Sequence, residues 1–134
     1  MTRPITARLI GGLGNQLFGY YAGAALAAHH HTQLRLDTSW TRHGITDHGI
    51  EILRFDLPGE WLPNNSLKAK VSAPGTIPGR AVAKALRDIP ALRTPLRIHE
   101  APGVGHDPTL FAQPAGTRLR GYFQSWRTVQ NAVD

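Results

Sequence analysis

The chain has 134 residues, 41% of them hydrophobic, with 14 glycines and 10 prolines; that is one domain, long enough to bury about two-thirds of the surface its unfolded chain exposes. It has no cysteine, which excludes disulfides and thiolate metal sites, and no apolar run near the ~18 residues of a membrane span. The opening MTRPITARLI lacks the pattern of a signal peptide, so a soluble, cytoplasmic chain without a transmembrane segment is expected. The net charge of +6 comes from 15 basic and 9 acidic residues. These basic residues, mostly arginine, are scattered without a run or an interleaved aromatic platform, which argues for a solvated face or anionic small ligands and against nucleic acid.

In chain order, Ala7 to Ile10 reads as the end of a strand and Gln16 to His31 as a helix. Leu17, Tyr21, Ala24, Ala25 and Ala28 form one apolar face, widened by Ala22, Leu26 and Ala27. Such a helix is buried on much of its circumference and packs closely on a sheet. His29-His30-His31 closes it. Adjacent residues do not share a helix face, and histidines favour a helix C-terminus without any metal. Gln33 to Asp37 alternates and reads as a second strand ending in an acid. Gly49 to Phe55 is a short apolar patch, a packed turn or an edge strand, and Asp56 to Gly79 is rich in Pro, Gly, Asn and Ser and reads as loop.

Helical spacing returns in Gly79 to Ile89, closed by Pro90. Leu96 to His99 reads as a short strand, Asp107 to Phe111 as a helical turn capped by Asp107, and Thr117 to Phe123 as a late strand. Ser125 then N-caps a closing helix through Val133. Strands and helices alternate, so the expected fold is α/β, a Rossmann-like, mainly parallel sheet in a single domain spanning residues 1–134.

Between the first strand and the first helix lies Gly11 to Phe18, GGLGNQLF. A strand that breaks into a glycine-rich turn and opens a helix aims backbone N–H groups and the helix dipole at one spot. Glycines let a ligand approach the backbone, which predicts an anion-binding crevice at the carboxyl end of the first strand. Tight reversal alone also uses glycine, but three glycines in four positions exceed that need. A dinucleotide reading draws on Gly12-Leu13-Gly14 and on Asp37, an acid about 20 residues further on at a strand end. Leu17 occupies the third glycine position and argues against it.

The run GGLGNQLFGYYAGAALA resembles the opening motif of the family 11 glycosyltransferases, the α-1,2-fucosyltransferases. Leu34 to Ser39, LRLDTS, is similar to that family's second strand, Gly49 to Leu57 to its short apolar block, and Leu119 to Trp126, LRGYFQSW, to its GYFQS strand-to-helix element. The resemblance covers nearly the whole chain except Glu60 to Leu96, but only the N-terminal half of the family. Its members continue into a second domain with a His-x-Arg-Arg-Gly-Asp-Tyr motif that binds the sugar nucleotide's phosphates, and no such motif occurs here.

The resemblance implies the N-terminal domain of a GT-B-like enzyme that moves fucose from GDP-fucose to a galactose hydroxyl with inversion, without a metal or other cofactor. Its partners would be GDP-fucose, a galactose-terminated glycan and a separate C-terminal half. Its location would be the cytoplasm or the membrane surface where glycans are assembled. Gly12, Leu13, Gly14, Asn15 and Gln16 would meet substrate, with Asp37, Gln124 and Ser125 on the same crevice. The general base stays open among Asp37, Glu51, His99 and Glu100, and Tyr122, Phe123 and Trp126 are either sugar-stacking or core residues. Without the cationic motif, little or no transfer is expected of this chain alone. A stand-alone nucleotide- or sugar-binding α/β module without catalysis is the alternative.

Overall fold

The computed structural model describes residues 2–39, 49–62 and 97–133. The expected helix Gly79–Ile89 lies outside them, as do Leu96 and residues 63–79 of the expected loop. The described elements are β1 (Ile5–Arg8), α1 (Leu13–His29), β2 (Leu34–Asp37), β3 (Glu60–Trp61), β4 (Ile98–Glu100), β5 (Arg118–Arg120) and α2 (Trp126–Val133). Single 3-10 turns stand at Glu51–Arg54 and Leu110–Ala112. The strands form one sheet in the order β3-β2-β1-β5-β4, and every pairing is parallel. The fold is therefore α/β and Rossmann-like, and its two halves meet between β1 and β5.

Period-two alternation sorts the sheet into two unlike faces. Ile5, Ala7, Leu34, Leu36 and Leu119 are buried in the hydrophobic core beneath α1. Thr6, Arg8, Arg35, Asp37, Arg118 and Arg120 take the alternate positions, in register across β2, β1 and β5. Close packing of α1 depends on a missing side chain. A Cβ on Gly23 would stand 2.7 Å from Ala7 Cβ and 2.8 Å from Leu34 Cδ1. The intimate helix–strand approach expected near Leu17 thus falls six residues further along, at Gly23.

The end of α1 explains the histidine triple. His31 takes a left-handed φ of 50°, His31 N–H donates to Ala28 O at 3.0 Å, and Thr32 N–H donates to Ala27 O at 2.9 Å. This pair of bonds is a Schellman cap. His30 Nε2 lies 2.7 Å from Gln113 O, and His29 packs edge-on against Phe111. All three are structural. α2 begins immediately after Ser125 and lies along α1.

Several expected bounds shift: β1 ends at Arg8 and not at Ile10, and β5 ends at Arg120 and not at Phe123. β3 lies inside the stretch read as loop: Trp61 pairs with Leu36, and Leu62 N–H donates to Leu36 O at 3.0 Å. Two residues are too few to show an alternating pattern. α1 also starts three residues early, at Leu13, because Gly12 takes the extended N-cap conformation with φ −74° and ψ 178°.

Candidate functional site

The carboxyl ends of β1 and β5 adjoin where the sheet's two halves meet, the position at which open α/β sheets bind ligands. From β1 the chain turns through Gly11, whose φ of +72° suits glycine. A Cβ there would stand 2.8 Å from Asn15 Nδ2 and 3.3 Å from the Tyr122 ring. The first helical hydrogen bond of α1 runs from Gln16 N–H to Gly12 O at 3.0 Å. Among the described residues no carbonyl accepts from the amides of Leu13, Gly14 or Asn15, so three orphan donors and the positive end of the helix dipole remain open to a ligand. Gly14 is exposed and Asn15 half-buried.

From β5 the chain turns through Gly121 and delivers Gln124 to the same spot, where its Nε2 donates to Asn15 Oδ1 across 109 residues of sequence. Tyr122, 42% exposed, stands over Gly11. Phe123 turns inward and is buried, while Trp126 is 65% exposed. The aromatic trio thus splits into two exposed residues, of which Tyr122 stands at the elbow, and one core residue. Ser125 is half-buried, and its backbone N–H donates to Phe123 O at 2.7 Å.

Two residues expected to meet substrate are occupied by the protein. Gln16 is fully buried. Its Nε2 donates to Gly11 O at 2.9 Å and to Gly49 O at 2.7 Å, and its Oε1 accepts from Ile52 N–H at 3.1 Å. It holds the elbow against the 3-10 turn and has no atom to offer a ligand. Asp37 is buried as well. Its carboxylate accepts from Ser39 N–H at 2.9 Å and faces Arg8 Nε at 3.4 Å. Turn capping and charge pairing are its roles. Leu13 packs half-buried against the core and contributes its amide alone.

Beside the elbow, a cavity of about 430 Å3 opens at the ends of β1, β5 and β4, with Arg8, Arg120, Glu100 and Tyr122 in its wall. Burial and then the neighbouring Arg120 charge pull the Arg8 guanidinium down to about 10, against the opposing pull of Asp37. Burial also lowers Arg118, on β5. Nothing local in the chain hints at this arginine cluster, because strand register alone brings positions 8, 118 and 120 together.

Of the candidate bases, Asp37 is enclosed, Glu51 opens the 3-10 turn, and Glu100 is exposed at the cavity wall. His99 has a partner that sequence did not reveal: its Nε2 lies 2.5 Å from Asp107 Oδ2. The other Asp107 oxygen accepts from the Thr109 amide at 2.9 Å and its hydroxyl at 2.7 Å. Among the described residues no group of three or more His, Cys, Asp or Glu side chains is placed to hold a metal ion, and no helix is long and apolar enough to cross a membrane. No protein-family model, curated protein or solved structure matches the chain.

Proposed function

We propose that this chain is the N-terminal domain of a GT-B-like glycosyltransferase akin to the family 11 α-1,2-fucosyltransferases, acting on GDP-fucose and a galactose-terminated glycan. One observation carries the reading. Two of the segments on which the resemblance rests, Gly11–Phe18 and Leu119–Trp126, meet through the Gln124–Asn15 hydrogen bond at one sheet edge, around an open helix N-terminus. A transfer that inverts the anomeric centre needs an acceptor oxygen held in line, a base for its proton, and positive groups on the departing diphosphate. The amides of Leu13, Gly14 and Asn15 supply donors for a phosphate or sugar oxygen, and the Asn15 and Gln124 amides fix their direction. The stronger cationic clamp is not in these 134 residues, which contain no His-x-Arg-Arg-Gly-Asp-Tyr sequence.

The test is ligand-observed NMR on the purified chain with GDP-fucose and with a galactose-terminated disaccharide, alongside a radiolabelled fucose-transfer assay. The expected outcome is saturable binding of GDP-fucose, lost in Gly14→Asp, whose carboxylate repels a diphosphate at the helix N-terminus, with little or no transfer by the chain alone. Binding without transfer even after a complementary C-terminal half is added favours a stand-alone binding module. Absence of saturable binding of either compound overturns the proposal.

A further inference from the structure

We infer that the cavity walled by Arg8, Arg120, Glu100 and Tyr122 is a subsite for the carboxylate of an acidic sugar. Its four polar or aromatic walls come from three adjacent parallel strands, β1, β5 and β4, and the turns that follow them. Arg8 is held at 3.4 Å by Asp37. The Arg120 guanidinium, half-buried, makes no hydrogen bond or ion pair among the described residues. Glu100 lies opposite Arg120 in the strand register, and no ion pair joins the two.

The charge count selects the ligand. Arg8 and Asp37 offset each other, which leaves one guanidinium facing the cavity with one carboxylate at its exposed wall. One carboxylate answers the one cavity guanidinium that has no partner among the described residues, and its planar fork suits a carboxylate bidentately. A diphosphate brings more negative charge than one guanidinium can answer. Glu100 instead accepts hydrogen bonds from hydroxyl groups, which a sugar has in number. Tyr122 presents a rigid, half-exposed ring to the apolar face of a pyranose. Anion fork, hydroxyl acceptor and aromatic plate together describe a uronic-acid-type residue.

The inference deepens the proposed function by giving the acceptor glycan an acidic sugar, and it is tested by binding alone. The full chain is titrated with methyl glucuronide and with methyl glucoside by ligand-observed NMR, with inorganic phosphate as a third probe. Glucuronide is expected to bind about tenfold or more tightly than glucoside. Arg120→Gln removes that preference, and Tyr122→Ala weakens both sugars. Should Arg120→Gln not fold, judged by its circular dichroism, Arg120→Lys keeps the charge without the fork and is expected to lose most of the preference.

Equal binding of the two sugars overturns the inference, as does an unchanged preference in the arginine variants or binding of phosphate alone. GDP-fucose binding is measured on the same samples. In the native chain, absence of the sugar preference with GDP-fucose binding present overturns the subsite only, whereas absence of GDP-fucose binding with the preference present overturns only the fucosyltransferase reading.

Discussion

A glutamine in the first turn of a helix, next to glycine and asparagine, reads as a ligand contact; burial decides otherwise for Gln16. One fully buried amide bonds Gly11 O, Gly49 O and Ile52 N, so it joins the elbow to a turn more than thirty residues away. In Gln16→Leu, Gly11 O and Ile52 N–H lose their partner while Gly49 O keeps Glu51 N–H, and each buried orphan costs about 1–3 kcal/mol. We expect a loss of about 2 kcal/mol or more in urea unfolding and, on the proposed function, weakened GDP-fucose binding as the elbow loosens. A loss under about 1 kcal/mol, within the range of a routine surface change, would show that water replaces the amide. The elbow itself was legible, since glycine spacing and the change of hydrophobic period both act locally. Which of its polar residues face outward was not, because Gly49 and Ile52 come from a distant turn. The Asn15–Gln124 pair was legible only as shared position at one sheet edge, its hydrogen bond depending on a sheet order that places β5 beside β1.

Between β4 and β5 the chain is folded back by a side-chain latch and needs no helix to do so. His99 on β4 holds Asp107, and Asp107 in turn orders the Thr109 turn that leads to Leu110 and its buried side chain. Burial would raise the Asp107 carboxyl, but the hydrogen bonds from His99 and from the Thr109 hydroxyl and amide outweigh it and hold the group below its ordinary 3.8. A carboxyl lowered on folding contributes stability that is complete above its unfolded value and is lost as pH falls through the folded one. Urea unfolding midpoints measured from about pH 6 down to about pH 2 should therefore decline more steeply in the native protein than in Asp107→Asn. Parallel declines would mean that the latch does not set the acid sensitivity. Of this element, the Asp107-capped turn was visible from Asp-Pro-Thr alone. The histidine was not, since nothing local links positions 99 and 107.

Scattered in the sequence, the arginines looked like a solvated surface; the sheet gathers four of them. Arg8, Arg35, Arg118 and Arg120 fall on one face because parallel register aligns alternate positions of β2, β1 and β5, and a register cannot be read before the strand order is known. Among the described residues, that face holds two ion pairs of similar chemistry in different surroundings. Arg8–Asp37, at 3.4 Å, lies mid-sheet with both side chains 5% exposed, whereas Arg35–Glu60, at 2.7 Å, lies toward the edge at 36% and 50% exposed. Distance alone ranks the outer pair stronger. Burial reverses the order, because a buried guanidinium that loses its carboxylate has no water to replace it, while an exposed one does. Asp37→Asn is expected to cost about 3 kcal/mol or more in urea unfolding. Glu60→Gln, on the same sheet face, is expected to cost under about 1 kcal/mol and to lose even that in high salt. Equal costs for the two variants would mean that water reaches the middle of this face, and that the sheet is solvated on one side across its whole width.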